Sequence, residues 1–399
     1  MVLYIKHFSI SVFGKGYPMF TAITACPNYT PDACREALEA VLLPTGALDF
    51  VKPGMKIGIK ANLVAAMKPE SAATTHPVLL CALVDLLIAR GAEVIIGDSP
   101  GGLYTSAYVN LVYRATGMEA VVKHGAKLNQ DFSQKTVDYP EAISARSFQY
   151  TAWLDHCDAI INFCKLKSHG MMAMSAGTKN LFGTIPGTLK PEYHYKYPEL
   201  RSFSHMLVDL AEYWHPCLTI VDAVVGMEGN GPTAGTPRPI GAVLAGDNPH
   251  AVDLVCAKII DLPREEVPTL EAAVERGLIP AGVDELNVLG DVESFVIKDF
   301  EKLETKNRML FQDKFKGSLG LLFSPFMQRN FSPRPTLEKS ACIGCAKCAN
   351  ICPAKAIHMQ NKKPVIKRKA CIHCFCCQEF CPKGALKVAR PPLAKLLNR

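Results

Sequence analysis

The chain has no window of about 18 uninterrupted apolar residues, the length a membrane-crossing helix needs, and is therefore read as having no membrane span. Its opening, MVLYIKHFSISVFGKGYPMF, lacks the charged start, continuous apolar core and small-residue cleavage site of a signal peptide. It holds 16 Cys, yet outside one C-terminal run they are scattered without the spacing of a disulfide framework. Both absences point to a reducing cytoplasm. No short-period repeat occurs apart from one doubled Cys pattern. Acids are nearly missing from the C-terminal part: Arg329–Arg399 holds 15 Lys and Arg against only Glu338 and Glu379, a balance of +13. The rest of the chain carries 29 bases and 35 acids, a balance of −6.

What is present is ordinary in bulk. Of the 399 residues 49% are hydrophobic and 20% charged, which suits two or three globular domains with a sizeable core. The informative stretch reads Cys342-Ile-Gly-Cys345-Ala-Lys-Cys348-Ala-Asn-Ile-Cys352-Pro353, and then Cys371-Ile-His-Cys374-Phe-Cys376-Cys377-Gln-Glu-Phe-Cys381-Pro382. Both halves fit C-x2-C-x2-C-x3-C-P. Three thiolates at three-residue intervals wrap one 4Fe-4S cubane and leave a corner free. The fourth Cys, turned away by its Pro, reaches the other cubane. Cluster one then takes Cys342, Cys345, Cys348 and Cys381, and cluster two takes Cys371, Cys374, Cys377 and Cys352. Paired zinc sites are disfavoured, because two C-x2-C knuckles have no use for the third Cys or the Cys-Pro. The run closely resembles two-cluster ferredoxin domains; Cys376 departs from the pattern and reads as a spare thiol, with a ligand swap as the alternative. Two oxidised clusters of about −2 each leave this region basic. Its Lys runs lack interleaved aromatics, so they are assigned to docking an acidic electron-transfer protein such as a ferredoxin or flavodoxin rather than nucleic acid.

The preceding ~320 residues alternate β-rich runs with helical patterns, which predicts an α/β fold: a large parallel or mixed sheet flanked by helices, with a small C-terminal ferredoxin-like domain. The expected domains are 1–323 (α/β), 324–338 (linker), 339–391 (ferredoxin) and 392–399 (tail). Strands are expected at Lys56–Lys60, Ala92–Ile96, Ala159–Phe163, Leu218–Val221 and Ile240–Leu244. Helices are expected after the Thr30-Pro31 cap, from Pro77, over Pro198–Trp214 and after Asn248-Pro249.

In open α/β sheets, ligands gather beyond the carboxyl ends of strands. Here those ends carry Lys60 and Asn62; Asp98 and Ser99; Lys165, Lys167, Ser168 and His169; Asp222 and Glu228; Asp247 and Asn248. One convergent site is the expectation, completed by Lys179 and Asn180 in Gly177-Thr178-Lys179-Asn180. Residues 165, 167 and 169 share one side of an extended chain, so two ammonium groups and an imidazole converge there. Such a group holds a small anion and offers a proton near neutral pH. Tyr193-His194-Tyr195 is either a lid with a second acid/base or an aromatic surface turn. Two motifs fail. Gly97-Asp98-Ser99-Pro100-Gly101 matches a nucleophile elbow, but Pro100 has no N–H for the oxyanion hole. Gly229-Asn230-Gly231 follows a strand, but Pro237 and Pro239 stand where a dinucleotide motif needs a helix, and no Walker Lys occurs.

Thr74-Thr75-His76-Pro77, Gly97-Asp98-Ser99-Pro100-Gly101, Lys165-Leu166-Lys167-Ser168-His169-Gly170, Lys179-Asn180-Leu181-Phe182-Gly183 and Asp222 to Gly231 together resemble the family named domain of unknown function 362. Its members often carry a C-terminal ferredoxin pair and are called iron–sulfur centre proteins. The likeness covers roughly Lys56–Gly290 plus the ferredoxin tail, with Ser168 where similar sequences often have Thr. It implies this domain layout and these site residues, and names no substrate.

The function expected is an iron–sulfur oxidoreductase that passes low-potential electrons through two 4Fe-4S clusters, under anaerobic conditions, to a small anionic molecule or a further cofactor not visible in the sequence. Lys165, Lys167 and Lys179 bind the anion, and Asn62, Asn180 and Asp222 orient it. Lys60, Asp98, Ser99 and Ser168 add binding groups. His169 or His194 supplies a proton, with Glu228 as a second acid and Lys167 in the catalytic group. The alternatives are an electron carrier or docking protein serving a separate enzyme, and delivery of a metal centre using the thiols Cys26, Cys34 and Cys376.

Overall fold

The computed structural model describes residues 19–303 and 333–389. In the first of these segments β1 (Phe20–Ala25) is followed by α1 (Pro31–Leu42), β2 (Lys56–Lys60), α2 (Pro77–Ile88) and β3 (Glu93–Gly97). Then come α3 (Ser106–Ala115), α4 (Ala120–Lys123), β4 (Lys127–Leu128) and a hairpin of β5 (Gln134–Asp138) with β6 (Ser147–Thr151). The central strand β7 (Ala159–His169) leads to β8 (Ala173–Ser175), α5 (Gly177–Asn180), α6 (Leu189–Lys196) and α7 (Leu200–Trp214). Two long strands, β9 (Leu218–Glu228) and β10 (Thr236–Gly246), precede α8 (Pro249–Ile259), α9 (Pro268–Glu275) and β11 (Asn287–Leu289).

The main sheet runs β11-β1-β10-β9-β7-β2-β3-β4, with β8 paired to β7. From β9 to β4 the neighbours are parallel, whereas β10 is antiparallel to both β1 and β9. The sheet is therefore mixed. The expected strands are all present, and those at 159, 218 and 240 extend beyond their apolar runs.

Local signals explain the helix ends. Thr30 Oγ1 accepts from Ala33 N at 3.4 Å with Pro31 at the first position, and Asn248 accepts from His250 N and Ala251 N at 2.9 and 3.1 Å. The parity of β7 is set by packing. Ile161 and Phe163 join the core beneath α1, α2 and α3, while Cys164 and Leu166 join the core beneath α8 and α9. Burying each such side chain is worth roughly 1.5–3 kcal/mol, so a one-residue slip is excluded. The apolar run thus delivers the polar end of β7 to a fixed place.

The second segment contains β12 (Arg334–Leu337), α10 (Lys347–Ile351), β13 (Ile357–Gln360), β14 (Lys363–Ile366), α11 (Cys376–Glu379) and β15 (Leu386–Ala389). β12 pairs with β15 and β13 with β14, both antiparallel. β12 falls inside the expected linker; residues 324–332 of that linker, like 1–18, 304–323 and 390–399, lie outside the described residues. Among the described residues no helix is long and apolar enough to cross a membrane.

Candidate functional site

The C-terminal domain offers two thiol sets. Cys342, Cys345, Cys348 and Cys381 line one cavity of about 360 Å³, together with Ile343, Met359 and Leu386. That is the crossed set expected for cluster one. Cys377 has Cys374, Cys371 and Cys352 among its neighbours, the set expected for cluster two. Both Cys-Pro sulfurs receive a backbone hydrogen bond, Ala356 N to Cys352 Sγ and Ala385 N to Cys381 Sγ, each at 3.2 Å. Such N–H donors stabilise a ligating thiolate. The residues present fit two cubanes: soft donors in fours, the first set around a hollow walled by apolar side chains.

A second cavity, of about 600 Å³, lies at the polar ends of β2, β3 and β7. Lys60, Asn62, Asp98, Ser99 and Lys167 line it from the strands, and Lys179, Asn180 and His194 from α5 and α6. Its remaining wall comes from the C-terminal domain, in which Cys376, Glu379 and Phe380 of α11 and the residue after it complete the enclosure. α11 is clamped in place. Gln378, fully buried, donates from Nε2 to Asn230 O at 2.9 Å and Gly231 O at 2.8 Å, and Thr233 Oγ1 donates to Glu379 O at 3.0 Å. The glycine loop at 229–235 therefore grips the ferredoxin helix. Ser168 shapes that loop, donating to Gly229 O at 2.8 Å and accepting from Gly231 N at 3.3 Å.

The lysines of the cavity differ in their partners. Lys60 Nζ meets Asp98 Oδ1 at 2.7 Å, Ala61 O at 2.8 Å and Asn180 Oδ1 at 3.2 Å. Gly183 packs over this pair: a Cβ there would come within 2.5 Å of Lys60 Nζ. Lys167 Nζ donates to Asn62 Oδ1 at 2.6 Å and Ala73 O at 2.8 Å, and has no carboxylate. Lys190, which the sequence reading does not single out, donates to Ser99 O and Ile185 O, both at 2.7 Å, and to Ser99 Oγ at 3.2 Å. The Lys179 ammonium lies over the Phe182 ring, 5.7 Å from its centroid, and the carboxylate acting on it is Glu379 of the facing wall. Burial lowers all four from the ordinary lysine value, and Lys167 and Lys190 come down to about 7. Among the described residues only Lys60 of the four makes an ion pair, with Asp98, while the Glu379 carboxylate acts on Lys167 and Lys179 from the facing wall.

Burial disfavours the charged form of His194 and His169. Burial pushes His194 down to about 3; its ring stacks on Phe203 at 4.3 Å, and its buried Nδ1 has no hydrogen-bond partner. His169 falls to about 4, through burial and then Lys179. His169 Nδ1 accepts from Met171 N and Met172 N at 3.1 Å, which puts the proton on Nε2, 2.8 Å from Glu379 Oε1. That contact is an ion-pair distance without hydrogen-bond alignment. Burial thus brings Lys167 and Lys190, rather than the imidazoles expected from the sequence, to about 7.

Other expected residues lie elsewhere. Lys165 Nζ sits 3.0 Å from Asp222 Oδ2 and 2.7 Å from Tyr29 OH, in a separate buried cluster. The pairing with β9 shifts register between Lys165 and Lys167. Glu228 pairs with Arg238 at 3.7 Å and accepts from Glu301 N at 3.0 Å, away from the cavity. His169 reaches the site only through Glu379. One signal pointed to Glu379: it is one of two acids in a basic segment.

A thylakoid-associated protein of Synechocystis sp. is 30% identical over 265 residues, covering 64% of this chain and 79% of its own length. The apoprotein of a lactate racemase from Thermoanaerobacterium thermosaccharolyticum aligns with TM-score 0.39 and 12% identity, over 62% of this chain and 57% of that one. The 4Fe-4S dicluster domain matches residues 334–382. The domain of unknown function DUF362 matches residues 57–258, and the chain belongs to that family.

Proposed function

We propose that this protein is an iron–sulfur oxidoreductase whose α/β cavity binds the small anionic molecule that receives electrons. The carrying observation is the shared wall: Cys376, Glu379 and Phe380, beside the expected cluster ligands Cys377 and Cys381, face the same cavity as Lys167, Lys179 and Lys190. When bound, the clusters supply low-potential one-electron transfer. The chain's residues do the rest. Lys179 attracts the anion: among the described residues its ammonium makes no hydrogen bond, and Glu379 is the carboxylate that faces it. Asn62 and Asn180 hold the floor through a 2.8 Å amide–amide bond, and Asn180 is tied in turn to Asn162 at 2.8 Å. The Lys60–Asp98 pair positions Ser99 and the turn after β3, with Asp98 Oδ2 accepting from Leu63 N at 2.6 Å. Lys167 gives up a proton near neutral pH. The basic face outside docks an acidic electron donor, and the compartment we infer is the cytoplasm, where thiolate-held clusters stay reduced.

The test is anaerobic. The full-length protein is reduced, mixed with a panel of small carboxylates and oxyanions, and followed by its visible absorbance. Selective reoxidation by one class supports the reading. Equal inertness to every anion, with rapid exchange to a protein acceptor, favours the carrier function.

A further inference from the structure

Four lysines surround the cavity, and their acceptor counts separate their chemistry. Lys60 has three acceptors, one of them the Asp98 carboxylate, and Lys190 has three oxygen acceptors. An ammonium carries three N–H bonds, so both sites suit the charged form. Lys167 has two acceptors, Asn62 Oδ1 and Ala73 O, both uncharged. A neutral amine donates two N–H bonds and keeps one lone pair. The Asn62 amide cannot turn to offer a different match, because its Nδ2 donates to Asn180 Oδ1 at 2.8 Å, while Asn180 Nδ2 donates to Asn162 Oδ1 at 2.8 Å. The Asn chain thus shapes a seat for a free amine.

We propose that Lys167 is a nucleophile that forms an imine with a 2-oxo acid, whose carboxylate is held by Lys179. The proposal rests on the reading of this cavity as an anion site and names its ligand class. Nζ adds to the ketone carbon, the carbon–oxygen bond breaks, and water leaves with the oxygen and two hydrogens. A C=N bond remains, and no electrons are exchanged.

The surroundings support a free amine at this position. Lys167 is 1% exposed, and the charged neighbours acting on it are Lys179, Asp98, Glu379 and Lys165. Burial and the Lys179 ammonium bring it to about 7. At pH 7 its neutral fraction then exceeds that of an exposed lysine by on the order of a thousandfold. A desolvated lysine beside a second cation is a recognised way to activate the amine. The three-acceptor lysines lack a free lone pair, and Lys165 is engaged with a carboxylate.

The test uses anaerobically prepared full-length protein, incubated separately with pyruvate, oxaloacetate and 2-oxoglutarate in sodium cyanoborohydride, then analysed by intact mass and peptide mapping. The expected result is one adduct, on Lys167, with a yield that rises as pH is raised through about 7. It is lost in Lys167→Arg, and in Lys179→Met it falls by on the order of tenfold, the effect of one charge-assisted hydrogen bond. Binding of the unreactive dicarboxylate malonate is titrated in parallel. Malonate binding that depends on Lys179, without a Lys167 adduct from any of the three acids, overturns the imine and leaves the anion site standing. Neither binding nor adduct overturns both. Adducts spread evenly over exposed lysines also overturn the imine.

Discussion

Glu379 Oε1 lies 2.8 Å from Nε2 of His169, so a residue two positions from the expected cluster ligands Cys377 and Cys381 meets the end of the central β-strand. It is one of two acids in a basic segment, and it points inward. The ferredoxin domain is therefore seated on the α/β body with α11 as its contact element. Gly170 marks how close the approach is. A Cβ there would come within 2.9 Å of Val388 Cγ2 and 3.3 Å of Gln378 Oε1.

Gly170→Leu should weaken this seating without altering a cavity residue. Overpacking costs roughly 1–3 kcal/mol, which raises the open population by about 5- to 150-fold. Hydrogen exchange read by mass spectrometry should quicken by that factor in peptides covering α11 and the 229–235 loop, and stay unchanged in β2 and β3. Unchanged exchange in α11 would count against the docking.

The lysines should separate by stability. Lys60→Met leaves Asp98 buried without its partner and should cost about 3–5 kcal/mol, seen as a lowered urea midpoint. Lys179→Met removes an ammonium that acts on Glu379 without an ion-pair contact, and Glu379 keeps His169 beside it, so the midpoint should fall by less than in Lys60→Met while anion binding is lost. A large loss of stability in Lys179→Met would show that this cation is structural.

Acid should destabilise the fold through its buried imidazoles. His194 and His169 stand at about 3 and 4, against an ordinary 6.5. Between those values and 6.5 the unfolded chain binds more protons than the folded one, so stability rises with pH across that window. It is lost as pH falls from about 6.5 towards 4. His194→Phe, which keeps a ring against Phe203, should flatten part of this slope in urea titrations. An unchanged slope would place the titration elsewhere.

The spare thiol should be dispensable for the clusters. Cys376 lines the lysine-rich cavity and lies beside Cys374 of the set expected for cluster two, which already has its four thiols. Cys376→Ala should keep about eight irons per chain, whereas Cys381→Ala should lose the first cluster. Loss of iron from Cys376→Ala would establish the ligand swap.

Much of this was legible because the signals are local. The doubled Cys spacing, the Thr30-Pro31 and Asn248 caps and the apolar runs of β2, β3 and β7 each act within a few residues. So were Lys60, Asn62, Asp98, Ser99, Lys167, Lys179, Asn180 and His194 as cavity residues, since strand ends and the turn after them share one edge of the sheet. What was not legible depends on distant pairing. β1, with its threonines, becomes a strand by pairing with β10, more than 200 residues away. Lys165 has the parity of Lys167, yet Asp222 and Tyr29 draw it into another cluster, with the irregularity beyond it. Lys190 comes from a helix, where strand-end reasoning does not look. Cys376 and Phe380 enter the site only through docking of the second domain.

The most direct measurement is the electron-spin spectrum of the anaerobically reduced protein, recorded with and without a saturating small anion, for the native chain and Lys179→Met. The account predicts that the anion perturbs the signal of one cluster, the one held by the α11 half, and that Lys179→Met abolishes the change while keeping both clusters. Identical spectra with and without every anion tested, from protein loaded with both clusters, would contradict it.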